Sequence, residues 1–250
     1  MTVIKEITDY IEQTAPLSLA EAWDNVGLMV GDTSRAVSTV MLALDVTDSV
    51  VKQAVKQKAE LIISHHPVIF RPLKCLTADS VPYLLAQNGI AVYSAHTNLD
   101  KAVGGVNDVL ANRLGLTEVR TSLDALSRIG ILPHPLSAQA FAAHVAKQLQ
   151  TAVRVTAQAD KNITCVAVCS GSGGDFVPSL WSEQVDAVVT GEISHHGWID
   201  AAENGVVVEA GHFATEKPIT AALLSELSGV FPTVRFVDAV ETAPYQTMII

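Results

Sequence analysis

Ile63-Ser64-His65-His66 recurs as Ile193-Ser194-His195-His196, each time after an apolar run. Each copy then leads to a second apolar run ending in a histidine with an acid four places on. These are His96-Thr97-Asn98-Leu99-Asp100 in the first copy and His212-Phe213-Ala214-Thr215-Glu216 in the second. Six of the eight histidines therefore fall in four short motifs with two acids at matched positions, which predicts a metal site. Histidine and carboxylate without thiolate suit Zn, Fe, Mn, Ni or Co and disfavour an iron–sulfur cluster. Adjacent His65 and His66 point to opposite faces of an extended strand, so they do not easily chelate one ion. They can each serve a different ion if two lie side by side, and dinuclear hydrolytic sites hold their metals ~3.5–4 Å apart. Asp100 or Glu216 has the two oxygens needed to bridge such a pair. His195-His196 could support a ligand, face substrate or be structural, and His134 and His144 lie outside the pattern.

The elements that would position these residues alternate between strand and helix. Ile4, Ile7, Tyr10 and Ile11 predict an opening helix that stops near Pro16. Strands are expected at 40–44, 61–63 and 90–93, with helices at about 47–58 (Thr47 as N-cap), 80–87 and 106–114. His96 to Asp100 reads as a loop. From Thr121 to about Val155 the rhythm changes to a short strand (128–132) and a helix (137–149). It then resumes with strands at 163–169, 187–189, 206–208 and 234–237 and helices at 178–183, after His195-His196, and at 219–227. His212 to Glu216 reads as a second loop. This pattern is that of an α/β fold, whose sites lie at the carboxyl ends of strands, and all four histidine motifs are expected there. From His65 to His96 is 31 positions and from His195 to His212 is 17, so the first copy carries 14 extra residues, about the length of Pro67 to Ser80. The reading is an internal duplication: a first lobe over 1–125, a second over 126–250, and the metal site between them.

A chain of 250 residues, 49% hydrophobic and 17% charged, can bury a substantial core. Its net charge of −10, with 16 basic residues and no basic stripe, argues against nonspecific nucleic-acid binding. No apolar stretch reaches the ~18 residues of a membrane span, and Met1 to Thr14 reads as an amphipathic helix, not a signal peptide. Cys75, Cys165 and Cys169 are an odd count in apolar contexts, which points to a reducing cytoplasm. Gly171-Ser172-Gly173-Gly174 follows a strand but lacks the lysine of a P-loop, so a plain turn is expected.

Five elements carry a resemblance in matching order along the chain. They are Trp23-Asp24-Asn25-Val26-Gly27-Leu28, Ser64-His65-His66-Pro67, His96-Thr97-Asn98-Leu99-Asp100, Thr190-Gly191-Glu192 with His195-His196, and Gly211-His212 with Glu216. Together they resemble the Nif-three-like family, also called GTP cyclohydrolase I type 2 homologues or dinuclear metal centre proteins, in its short bacterial form. The resemblance implies two intertwined α/β lobes with mixed sheets flanked by helices, assembled as a toroidal homohexamer. It implies two divalent ions per subunit, iron or zinc foremost. One would be held by His65, Asp100 and Glu216, the other by His66, His212 and Glu216, with the glutamate bridging. His96 stays outside that ligand set, although its own context would admit it.

Three functions follow as expectations. The first is a metal-dependent hydrolase of GTP cyclohydrolase type, acting through metal-activated water on a small-molecule substrate, with His96, Glu192 or His195 as proton carriers. The second is a metal-handling protein without turnover. The third is a regulatory interaction protein.

Overall fold

Ile4, Ile7 and Ile11 line the buried face of helix α1 (Ile4–Thr14) in the computed structural model, which describes residues 1–156, 161–246 and 248. Strands β1 (Gly27–Val30) and β2 (Thr39–Ala43), helix α2 (Asp48–Gln57), strand β3 (Leu61–Ser64), helix α3 (Val81–Gln87) and strand β4 (Ala91–Ser94) follow. Next come α4 (Thr97–Lys101), α5 (Val106–Arg113), β5 (Thr117–Thr121), β6 (Arg128–Ser137) and α6 (Ala138–Leu149). The chain continues with β7 (Arg154–Val155), β8 (Asn162–Cys169), α7 (Val177–Leu180), β9 (Ala187–Thr190) and α8 (His195–Asn204). It ends with β10 (Val206–Glu209), α9 (His212–Glu216), α10 (Pro218–Val230) and β11 (Arg235–Asp238). Thr47 caps α2 as expected, its hydroxyl accepting from Val50 N at 3.3 Å.

The chain forms two units, residues 1–103 with 220–242 and residues 104–219 with 243–250. Each is built on a mixed sheet flanked by helices. The first sheet runs β1-β4-β3-β2-β11, parallel except for β1. The second runs β5-β6-β8-β9-β10-β7, with β8, β9 and β10 parallel and the other pairings antiparallel. The same motif stands in both: three parallel strands (β2-β3-β4 and β8-β9-β10) with an antiparallel strand beside the third (β1 and β7).

The copies are intertwined by exchange. Helix α5 and strand β5, which follow the first copy, belong to the second unit. Most of α10 and all of β11, which follow the second copy, belong to the first. The expected lobes 1–125 and 126–250 therefore differ from the units observed. Pairing of Arg235 with Thr39 takes the last strand to the first sheet, and pairing of Thr117 with Ile131 takes residues from 104 onward to the second.

Parallel strands covered on both faces read as continuous apolar runs, and the two faces of the second sheet show why. Val166, Val168, Val189, Val206 and Val208 pack with Phe141, Val145 and Leu110 on one side. Ala167, Val188 and Val207 pack with Val177, Leu180 and Ala201 on the other. In the first unit Met41, Ala43, Ile62 and Val92 pack against Val50, Val51 and Ala54 of α2 and Leu85 of α3.

Two expectations need correction. The segments His96 to Asp100 and His212 to Glu216 are not loops: both fold into one-turn helices, α4 and α9. Strands β1, β5 and β7 were not anticipated, because they are short, partly exposed edges without an unbroken apolar run. Among the described residues no helix is long and apolar enough to cross a membrane.

Candidate metal centre

In the first unit the parallel ladder extends past β3, with His65 N donating to Ala43 O (3.1 Å) and His66 N to Leu44 O (2.9 Å). This fixes both histidines at the carboxyl end of the sheet. His96 occupies the N-cap position of α4 after the neighbouring strand β4. The ring centroids of His65 lie 5.0 Å from His66 and 5.2 Å from His96, and those of His66 and His96 are 5.6 Å apart. One ring nitrogen from each lies within 4.8 Å of the other two, so these three could hold a metal ion. Asp100, one turn into α4, brings Oδ1 to 3.6 Å from His65 Nε2.

Each of these rings is held through Nδ1. His65 Nδ1 donates to the carbonyl of Ala95 (2.9 Å), His66 Nδ1 to Asp45 Oδ1 (2.8 Å) and His96 Nδ1 to Asp24 Oδ1 (2.9 Å). A carbonyl or carboxylate at Nδ1 places the proton there and leaves the Nε2 lone pair for a cation. The Asp24 side chain is completely enclosed. Burial alone pushes its carboxyl up, but hydrogen bonds from His96 and from the Thr97 hydroxyl and amide outweigh it and hold the group well below the usual carboxylate range.

In the second unit α9 follows β10 and sets His212 and Glu216 one turn apart, with Nε2 3.0 Å from Oε2. His212 Nδ1 donates to Glu192 Oε1 (3.1 Å), and the Ser172 hydroxyl donates to Glu192 Oε2 (2.9 Å). Gly171 leaves room for this pair. Its φ is +58°, and a Cβ there would lie 2.1 Å from Glu216 Oε1 and 3.2 Å from His212 Nε2. The glycine-rich turn thus accommodates a buried carboxylate of the candidate site. The donor set of each unit, imidazole Nε2 with a carboxylate, fits a borderline divalent cation.

Residues 2–244 match the family model described as Duf34/NIF3 (NGG1p interacting factor 3). The chain belongs to the DUF34/NIF3 family. It is 35% identical over 240 residues to the GTP cyclohydrolase 1 type 2 homolog of Clostridium acetobutylicum, covering 90% of each chain. It is 32% identical over 252 residues to NIF3-like protein 1 of Drosophila melanogaster, covering 92% of this chain and 84% of that one. A crystal structure of a Bacillus cereus protein related to NIF3 shares the fold, with a TM-score of 0.93, 24% identity and 99% of each chain covered.

In this NIF3-family chain the first unit groups His65, His66, Asp100 and His96, while the second groups His212, Glu216 and Glu192. His195 joins neither group among the described residues. It is exposed in the first turn of α8, with its ring centroid 5.7 Å from that of His196. The repeated tetrapeptide is offset in space. His65 directly follows β3, which ends at Ser64, whereas β9 ends at Thr190, five positions before His195. Gly191 and Glu192 stand where His65 and His66 would be, and Glu192 supports the His212 imidazole. His144 is structural, with Nε2 2.8 Å from Leu114 O. Sequence reasoning passed over Asp45 and gave no role to Asp24. Asp45 sits two places beyond β2 and Asp24 inside Trp23-Asp24-Asn25, so both were visible as acids near strand ends.

Proposed function

We propose that this chain is a dinuclear metal-dependent hydrolase. His65, Asp100 and Glu216 would hold one ion and His66, His212 and Glu216 the other. The observation that supports this best is common to both units: His65, His66 and His212 each have Nδ1 committed to an oxygen, which presents Nε2 as a ligand. Two divalent ions in this donor set, Fe or Zn foremost and Mn, Ni or Co compatible, would supply an activated water near neutral pH and a charge to polarise a substrate oxygen. His96 keeps its proton on Nδ1 against Asp24 and offers Nε2 to accept a proton from the nucleophile or return one to the leaving group. Glu192 orients His212 and is exposed enough to meet substrate. The name carried by the Clostridium relative, applied to this chain, points to hydrolytic opening of a purine ring. The resemblance adds assembly as a homohexamer working in the cytoplasm.

The test begins with elemental analysis and a turnover screen of metal-loaded protein against nucleotides, phosphodiesters and cyclic amides. Turnover that needs metal and is abolished by Glu216→Gln supports the proposal. Full metal occupancy with no turnover, but transfer of the ion to an apo acceptor, replaces it with metal handling. Absence of bound transition metal under every loading condition overturns both.

A further inference from the structure

Trp23 is 59% exposed and Phe70 46% exposed, two large rings at the surface of a chain with few aromatics. Single exposed rings are ordinary, but these two are neither isolated nor loosely held. The Trp23 and Phe70 ring centroids are 5.9 Å apart at an interplanar angle of 66°. Each also meets His96 edge to face, Trp23 at 6.3 Å and Phe70 at 6.4 Å. His96 in turn lies beside His65 and His66, so one imidazole separates the exposed rings from the candidate ligands of the first unit.

The residues after Trp23 fix this arrangement. Asp24 holds His96 and caps Thr97, and Asn25 Nδ2 donates to the carbonyl of Ile69, the residue before Phe70. Trp23-Asp24-Asn25 therefore clamps the imidazole and the phenyl ring while leaving its own indole open to solvent. A surface ordered before any ligand arrives binds without a further ordering cost.

We infer that Trp23 and Phe70 form a stacking shelf for a small molecule carrying a planar heteroaromatic ring, held with its edge toward His96. This rests on the hydrolase reading of the same site and adds the residues that would receive and select the ring. An indole face stacks on a flat π-system with little regard to its substituents, so the shelf selects for a ring and leaves the choice among rings to the polar groups near His96. The competing occupant is a second copy of this chain resting on the same rings.

Binding to full-length protein, metal-free and metal-loaded, separates these outcomes. Guanosine, adenosine, uridine, pterin and quinoline serve as ring probes, with ribose as the ring-free control, followed by calorimetry and by quenching of intrinsic fluorescence. At least one ring probe should bind saturably to both forms while ribose does not. Trp23→Ala should weaken that probe roughly tenfold or more, Trp23→Phe should stay within about threefold, and Phe70→Leu should fall between them. Trp198→Phe, a change among the side chains packed in the second unit, should leave binding unchanged. Failure of every ring probe to bind, or undiminished binding by Trp23→Ala, overturns the inference. A change of oligomeric mass in Trp23→Ala without loss of ring binding assigns the shelf to a second copy instead. Ring binding by both forms, with no metal-dependent turnover of any compound in the wider screen, would sink the hydrolase reading and leave the shelf standing.

Discussion

The Asp24 carboxylate, shut away from solvent, accepts a 2.9 Å hydrogen bond from His96 Nδ1. The same carboxylate accepts from the Thr97 hydroxyl at 2.6 Å and the Thr97 amide at 3.1 Å, tying the turn after α1 to the start of α4. Its pKa lies below that of an unfolded aspartate, so its stabilising contribution is complete above about pH 4 and is lost as pH falls from there through the folded value. Asp24→Asn should lower the melting temperature of the metal-free protein at pH 7 and flatten the decline below about pH 4. Thermal denaturation from pH 7 to pH 2 checks this; an unchanged acid limb would show that Asp24 does not contribute to it.

Asp45 accepts from His66 Nδ1 at 2.8 Å and should hold that imidazole in the ligating tautomer. Asp45→Asn should lower the affinity of one ion about 10- to 100-fold while sparing the other. Competition against a chelator of known affinity reads this as one weakened step out of two.

His66→Ala should remove one ion outright. Elemental analysis at saturation is expected to fall from about two ions per chain to about one, as expected of a two-ion site. Retention of both would show that His66 is not a ligand.

Gly171 carries φ +58° directly under Glu216, and Gly115 carries φ +73° with nothing within 4 Å of where a Cβ would stand. An alanine at either pays the left-handed backbone cost of about 1 kcal/mol. Only Gly171→Ala also crowds the carboxylate. Gly171→Ala should therefore lose more stability than Gly115→Ala, and only Gly171→Ala should lose bound metal, which parallel melting and elemental analysis would show.

Arg128 is 2% exposed and pairs with Asp108 at 3.0 Å between Nε and Oδ1. Removing one partner of a buried pair leaves an uncompensated charge, so Asp108→Ala should destabilise the protein by about 3 kcal/mol. The joint change of Arg128 to Met and Asp108 to Leu should cost less. Urea denaturation of the metal-free forms measures both.

The sequence by itself determined most of the strands and helices and the chemical types at the site. Runs such as Val40–Ala43, Leu61–Ile63 and Val206–Val208 can only be buried, and burial on both faces makes each a central strand. The acids Asp100 and Glu216 keep their i+4 spacing from a histidine whether the segment is called loop or helix, so they were readable while the helices α4 and α9 were not. A five-residue helix carries too short a period to announce itself. Tertiary structure alone decided which side chain supports which. Asp45 reaches His66 across 21 positions, Glu192 reaches His212 across 20 and Asp24 reaches His96 across 72, all through neighbouring strand ends. It also separated the look-alike His195-His196 from His65-His66, because where a strand stops depends on its partners in the sheet and not on the tetrapeptide that follows. The exchange of α5 with β5 and of α10 with β11 has the same origin: hydrophobic periodicity is local, whereas the choice of sheet is made by long-range pairing.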